Sequence, residues 1–363
     1  MTMRNAEITG WGKCMPPNVL SNHDLEQLVD TSDEWITTRT GIKERRISHV
    51  EVSELAAVAG RRALAAAGKT VEDVDLLLVA TCTGDSLIPS TASVVQKHLG
   101  AWNAAAMDLN AACSGFVYGL VVGSAMIRAG ANNTVLLIGA EKLHFLTDFT
   151  DRATCVLFGD GAGAVVLEPT DEPIGLLASE LGMDGSVGHI LAVPKDGTSG
   201  DRGPLDPRLS GIGMEGPEVF RRAVTTMGDS AVRAIEEAGL TLDDIDLLIP
   251  HQANVRIIDA TARRLGLDDG RVYVNIHSYG NTSAATIPVA LTEALEDGRI
   301  SPGDTIAFTA FGGGLTWGSV IYRWGSRVEP ISESDAELPA PDRTTMEILQ
   351  PNFDFYGLPE KLS

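Results

Sequence analysis

The sequence predicts an α/β fold in which helices lie between and outside two β-sheets. Three observations carry this expectation. Short continuous apolar runs such as "VDLLLVAT", 74–81, alternate with helical stretches, as strands buried on both faces do. "AGKTVEDVDLLLVA", 67–80, aligns without a gap on "AGLTLDDIDLLIPH", 238–251, at an offset of 171 residues. The same offset lays "NAAC", 110–113, on "NTSA", 281–284, and "NTVLLIGA", 133–140, on "DTIAFTAF", 304–311. The chain therefore reads as two halves of common architecture.

Each element follows from its local pattern. "SELAAVAGRRALAAAG", 53–68, has helical apolar spacing and ends at Gly68, the expected C′ glycine. "SGFVYGLVVGSAMIRAG", 114–130, is apolar nearly all round, which places a helix in the middle of the molecule. "TVLLIGA" reads as the next buried strand, and "CVLFGDGAGAVVLE", 155–168, as a glycine-interrupted strand pair. The second half repeats the order with a helix over 218–238, a strand over 245–250, a helix over 283–296 and a strand over 304–310, then "FGGGLTWGSVIYRW", 311–324. The loop-rich segment 183–213 reads as a surface excursion.

Composition narrows the function. With 363 residues, 44% of them hydrophobic, the chain can bury a large core, and no apolar run approaches the ~20 residues of a membrane span. A formal charge of −21 argues against nucleic acid as a partner, since phosphates call for a basic face. Cys14, Cys82, Cys113 and Cys155 are scattered, without CxxC or metal-like spacing to histidine, and no signal-peptide pattern opens the chain. A cytoplasmic protein with reduced thiols and no metal is the expectation.

Four features could carry chemistry. Cys113 begins the expected central helix, where free N–H groups and the helix dipole favour thiolate. Its counterpart is Ala284, so a cysteine used only as packing fits the sequence as well. His251 directly follows a buried strand in "DLLIPHQANVRII", at the carboxyl end where sites gather, although a strand-capping histidine reads the same way. The other six histidines stand in polar, loop-like contexts. Asn281 is pseudo-symmetric to Asn110 and is either functional or a turn residue. The triple glycine of "FGGGLTWGS", 311–319, allows backbone N–H groups to approach a ligand closely, and lacks the Lys-Ser/Thr of a phosphate-binding loop.

Taken in order, "DLNAACSGF", "IPHQANVRII", "GNTSAATIP" and "FGGGLTWGS" closely resemble β-ketoacyl-acyl carrier protein synthase III, as do "TSDEWITTRTGIKERRI", 31–47, and "DRATCVLFGDGAGAVVL", 151–167. The resemblance covers roughly residues 5–325. It implies a thiolase-like fold of five layers, αβαβα, with two pseudo-symmetric halves: 1–171 bearing the nucleophile and 172–325 bearing the histidine and asparagine. It implies a Cys113–His251–Asn281 triad, with the N–H groups of Cys113 and Gly313 as oxyanion hole. An acyl-CoA would acylate Cys113, and malonyl-acyl carrier protein would lose CO2 and attack, without metal or organic cofactor. Trp35, Arg39, Thr40 and Arg152 match the family's CoA-binding positions, and Met214, Gly216, Phe220 and Asn254 its pantetheine tunnel. Leu143, Phe158 and a partner subunit's Ile88 would form the acyl pocket of a homodimer. Arg221, Arg256 and Arg264, flanked by Arg222 and Arg263, could dock the acidic carrier protein. Membrane and nucleic acid are not expected partners.

Two departures stand out. Ile88 replaces a frequent aromatic residue, which predicts tolerance of longer or branched primers. The chain also runs on from 326 to 363, where the family usually ends. That tail carries eight acidic residues, three basic residues and five prolines; its first part reads as a disordered linker, and its end, "ILQPNFDFYGLP", with its large apolar and aromatic residues, reads equally as a segment that docks on a surface or as a loose appendage. An acyltransferase or starter condensation in specialised metabolism, and a catalytically silent acyl-binding homologue, are the competing readings.

Overall fold

Successive side chains of a strand face opposite ways, and this alternation sorts the apolar residues into layers. The computed structural model describes residues 4–194 and 211–358. The strands of the first half are β1 (Asn5–Cys14), β2 (Asn18–Ser21), β3 (Glu44–Ile47), β4 (Leu76–Ala80), β5 (Ala105–Leu109), β6 (Val135–Lys142) and β7 (Asp160–Thr170). Five form a sheet in the order β1-β7-β6-β4-β5, with β4 parallel to both neighbours and β7 antiparallel to both of its own. In the second half follow β8 (Gly175–Met183), β9 (Leu191–Ala192), β10 (Gly213–Met214), β11 (Leu247–Pro250), β12 (Thr305–Gly312) and β13 (Thr316–Arg323). Four of these make a sheet in the order β11-β12-β13-β8.

The helices are α1 (Asn22–Glu26), α2 (Asp33–Thr40), α3 (Val52–Ala67), α4 (Thr91–Leu99), α5 (Gly115–Arg128), α6 (Gly216–Glu237), α7 (Val255–Arg264), α8 (Ile276–Tyr279), α9 (Thr286–Glu296) and α10 (Thr345–Tyr356). Leu76 and Leu78 of β4 face inward onto Phe116 and Leu120 of α5, while Leu77 and Val79 face outward onto α3 and α4. In the second sheet Leu247 and Ile249 face α9, and Leu248 faces α6 and α7. The order α3/α4, sheet, α5/α9, sheet, α6/α7 is the expected five-layered αβαβα arrangement.

The 171-residue offset holds element by element. One-turn 3-10 helices at Val71–Asp73 and Ala112–Ser114 recur at Leu242–Asp244 and Ser283–Ala285, and α5 and α9 start at 115 and 286. Residues 155–168 differ from expectation. They give turns and then one strand, β7, because Gly161 and Gly163 lie within the ladder to β1 and β6 instead of breaking it. Of the expected excursion over 183–213, residues 195–210 lie outside the described residues.

The tail corrects the expectation of a loose linker. Arg327 donates to Thr9 O at 3.0 Å and Ala67 O at 3.1 Å, and Ile331 N–H donates to Ala66 O at 3.0 Å. Arg62 donates to Ala336 O at 3.0 and 3.2 Å, and His49 Nε2 lies 2.7 Å from Pro339 O. Composition misled because a proline-rich segment keeps its carbonyl acceptors, and basic side chains of the first half supply the donors. Beyond this strap, α10 opens with a capping box of Thr344 and Glu347 and buries Ile348, Leu349 and Phe353 beside Leu143 and Phe149.

A methyl group at Gly139 of β6 would overlap the carbonyl oxygen of Ala284, so backbone meets backbone at the seam of the halves. Gly139→Ala is expected to cost about 1–3 kcal/mol in denaturant unfolding, the range of overpacked core sites.

Candidate active site

Two matching turns build the floor of the site. After β5, Asn110 Oδ1 accepts the Ala112 N–H at 3.2 Å. In the second half Asn281 Oδ1 accepts the Ser283 N–H at 2.8 Å. Each turn forces the next residue into the left-handed region, with φ of 46° at Ala112 and 49° at Ser283. Such a conformation costs a non-glycine residue roughly 1–3 kcal/mol. Cys113 follows the first strained residue, one turn ahead of α5. The Gly312–Gly313 end of β12 abuts it: a Cβ at Gly312 would lie 2.7 Å from Cys113 N, which excludes any side chain there.

Cys113, His251 and Asn281 line one cavity of about 640 Å³. His251 is 1% exposed and Asn281 is 6% exposed. The His251 N–H donates to Thr309 O at 2.8 Å, and its Nδ1 lies 2.7 Å from Thr286 Oγ1. Gln252 ties the turn after β11 by donating to Pro250 O at 2.8 Å and Tyr273 O at 3.2 Å. With Asn281 Oδ1 engaged by Ser283, its Nδ2 is the group left to donate toward a ligand.

Burial decides the electrostatics. It pushes the Cys113 thiol up to about 11, against hydrogen bonds from Ser283 and from the N–H groups of Gly313 and Cys113 that pull it down. Buried Glu141 adds to the rise. Burial also pushes His251 down to about 3. The resting pair is therefore a neutral thiol and a neutral imidazole. The expectation that the helix start favours thiolate is corrected, because desolvation outweighs the donors. Those donors converge on the sulfur, where they favour the thiolate over what burial alone would allow.

Trp35, Thr40, Met214, Gly216, Phe220 and Asn254 line the same cavity, as do Leu143 and Phe158. Phe158 also bridges Asn281 in parallel pairing. Arg39 and Arg152 do not line it. Their guanidinium groups sit 4.5 and 4.9 Å from the Trp35 ring centroid, a cationic rim on an aromatic platform. The Thr40 hydroxyl is used locally, donating to Ile36 O at 2.7 Å, and Asn254 Oδ1 caps α7 by accepting the Arg256 N–H at 2.9 Å. Ile88 is 90% exposed and far from the lining, so one chain does not bring it to the cavity.

The basic residues divide. Arg221 and Arg222 pair with Glu218, and Arg264 with Asp229. Arg256 instead lies over the Phe220 ring at 5.9 Å, at the cavity's exposed side. Sequence reasoning missed Thr286, Ser283, Glu141 and the burial of His144. Thr286 and Ser283 were recoverable as positions where the aligned halves differ, opposite Gly115 and Ala112. His144 hydrogen-bonds buried Asp160 through Nδ1, a partner that no local pattern reveals. Among the described residues no cluster of His, Cys, Asp or Glu could hold a metal, and no helix is long and apolar enough to cross a membrane.

Because its pKa lies above that of a free thiol, Cys113 is protonated at neutral pH and loses its proton only as pH approaches about 11. Its alkylation by iodoacetamide is expected to rise about tenfold per pH unit from 7.5 to 9.5, without a plateau near 8. Peptide mapping of Cys113 checks this.

Comparison with known proteins agrees with this site. Residues 107–185 match the model of 3-oxoacyl-[acyl-carrier-protein] synthase III, and residues 235–324 match the model of its C-terminal part. A "Beta-ketoacyl-[acyl-carrier-protein] synthase III 2" of Vibrio vulnificus is 57% identical over 339 residues, 93% of this chain and 94% of that protein. That match leaves 24 residues of this chain outside it (363 − 339), fewer than the 38 of the tail, so it extends into the tail. The crystal structure of the Aquifex aeolicus synthase III is 46% identical with a TM-score of 0.83, covering 88% of this chain and all of its own. The priming β-ketosynthase of the R1128 polyketide pathway is 34% identical with a TM-score of 0.83, covering 89% of this chain and 97% of its own. With its duplicated five-layered fold and these matches, the chain belongs to the β-ketoacyl-acyl carrier protein synthase III family of condensing enzymes.

Proposed function

We propose that the condensing reaction of this family runs here through Cys113, with His251 and Asn281 as its partners. The observation that carries the reading is their convergence on one cavity from three separate chain segments. The Cys113 sulfur, once deprotonated, attacks the thioester carbon of an acyl-CoA, and the C–S bond to CoA breaks. CoA leaves and takes up the proton. The N–H groups of Cys113 and Gly313 hold the oxyanion.

Malonyl-carrier protein then loses CO2, and its thioester oxygen becomes an enolate that accepts hydrogen bonds from His251 Nε2 and Asn281 Nδ2. For Nε2 to donate, Nδ1 must accept, which requires the Thr286 hydroxyl, 2.7 Å from Nδ1, to turn its proton from Ser283 O at 3.0 Å to the imidazole. A neutral imidazole suits this step, because it stabilises the enolate without protonating the carbon that must attack. The product is a 3-oxoacyl-carrier protein, and CoA enters as substrate, so the chemistry calls for no resident cofactor. Trp35, Arg39, Thr40 and Arg152 are assigned to the CoA end, and Met214, Gly216, Phe220 and Asn254 to pantetheine.

A homodimer and a cytoplasmic setting belong to the same reading. Strand β5 is a sheet edge with exposed Met107, and Leu87, Ile88 and Phe145 are also exposed, a set that a second copy would cover. Ile88 would then reach the other subunit's acyl pocket. The four cysteines are all free, as in a reducing compartment. Likeness to a polyketide-priming synthase keeps starter condensation as the second reading, lower in identity at 34% against 46%.

The test is intact-mass analysis with an acyl-CoA panel, branched and longer primers included, followed by malonyl-carrier protein. Acyl adducts are expected on the wild type and absent from Cys113→Ala, with discharge and CO2 release on adding the acceptor. Adducts that persist favour the second reading, and no adduct with any primer points to a silent homologue. His251→Ala or Asn281→Ala is expected to leave acylation intact and slow discharge by on the order of a hundredfold. Arg256→Glu is expected to raise KM for malonyl-carrier protein about tenfold and flatten its salt dependence, and an unchanged KM would remove Arg256 from the docking site.

A further inference from the structure

The tail helix α10 packs on β2, where the Thr345 hydroxyl donates to Val19 O at 2.8 Å, and on the stretch of the first half over 143–158. That stretch starts and ends at the cavity wall, with Leu143 and Phe158, and carries Arg152 between them. Asn352 Nδ2 lies 2.7 Å from His144 O, 3.4 Å from Phe145 O and 3.5 Å from Thr147 O, so one amide group gathers the carbonyls of a single turn. One residue on, Phe353 meets Phe149 edge to face, with centroids 5.4 Å apart. Past the end of α10, Leu358 shares a surface hollow with Asp30, Thr150 and Arg152. Arg152 donates to Asp30 O at 2.7 Å while its guanidinium lies over Trp35. The tail thus holds this stretch at His144–Thr147 and Phe149, and Leu358 lines the hollow beside Arg152.

We propose that α10 is a brace for the nucleotide end of the acyl-CoA site, with Asn352 as its positioning residue. A short chain segment that must present a cation to a ligand loses affinity when it has to be ordered on binding, and a preformed segment does not. The buried face of Ile348, Leu349 and Phe353 holds the helix down. Asn352 passes that order to the turn at His144–Thr147, and Phe353 and Leu358 pass it toward Arg152. Among the described residues, the other long-range hydrogen bonds of this turn are the His144–Asp160 contacts and the bond from Ile212 N–H to Leu146 O. An effect passed through Arg152 depends on the nucleotide of the thiol carrier, whereas one passed through Leu143, beside the acyl chain, falls on every thioester alike. The inference rests on the assignment of Trp35 and Arg152 to that end.

The test compares Cys113 acylation from an acyl-CoA and from the matching acyl-pantetheine, which lacks the nucleotide, in full-length wild type, Asn352→Ala and Asn352→Asp. The aspartate keeps the size and turns an acceptor toward the three carbonyls. In at least one variant, amide hydrogen exchange over 143–152 is expected to quicken while the rest of the first half is unchanged. KM for acyl-CoA should rise about 3- to 10-fold, the equivalent of one lost hydrogen bond, with kcat held within about twofold. KM for acyl-pantetheine should move less than about twofold. An equal loss with both thioesters, an unchanged KM despite faster exchange, or no change in exchange in either variant overturns the brace. If wild type accepts acyl-pantetheine and acyl-CoA with equal KM, the nucleotide assignment itself fails, whatever the tail does.

Discussion

Two helix starts pressed together in the middle of the molecule are the constraint on which the site depends. A Cβ at Gly115 would sit 3.4 Å from the Ala284 Cβ, so α5 and α9 meet with nothing larger than alanine between them. That contact fixes the turn that carries Cys113 against the turn that carries Asn281. The second sheet then closes over the pair, and the ends of its neighbouring strands β11 and β12 deliver His251 and Gly313 to the same cavity. Small residues are required for packing before they are required for substrate, which is why the nucleophile's neighbourhood is alanine, serine and glycine.

The interior that makes this contact possible also sets the charge state of the site. A dry pocket raises the thiol and lowers the imidazole, so neither rests as an ion. The same dryness strengthens each fixed N–H aimed at the sulfur, because a donor in a low-dielectric setting acts on developing negative charge without rearranging water.

Much of this was legible in the sequence. Leu76–Ala80 and Val135–Ala140 read as buried strands because a strand covered on both faces must be apolar throughout, and the 171-residue offset exposed the duplication without any partner to compare. His251 was legible by its place after a buried strand, and Cys113 and Asn281 by their places at the starts of expected helices. Other features depend on contacts across long sequence separations. The Thr286 hydroxyl beside His251, the His144–Asp160 pair and the docking of the tail are not encoded in local periodicity. Charge patterning described the first part of the tail as a loose linker, whereas its order comes from Arg62 and His49; the apolar end offered docking as one of two readings, and it packs into the cluster around Phe149. The thiol's direction of shift was misjudged for a related reason, since a helix start can be read from sequence and the depth of its burial cannot.

The matched turns at 110–115 and 281–286 act as an internal control within one polypeptide. Both hold an asparagine that accepts the second N–H onward, and both hold a residue at φ near 50°, yet only one is followed by a cysteine. The backbone strain beside the nucleophile therefore cannot be credited to catalysis. It belongs to the way each half begins its central helix, and it was available before any thiol stood there. What distinguishes the reactive half is a handful of side chains laid on a shared scaffold: cysteine opposite alanine, glycine opposite threonine, alanine opposite serine. The active site is, in that sense, the difference between two copies of one turn.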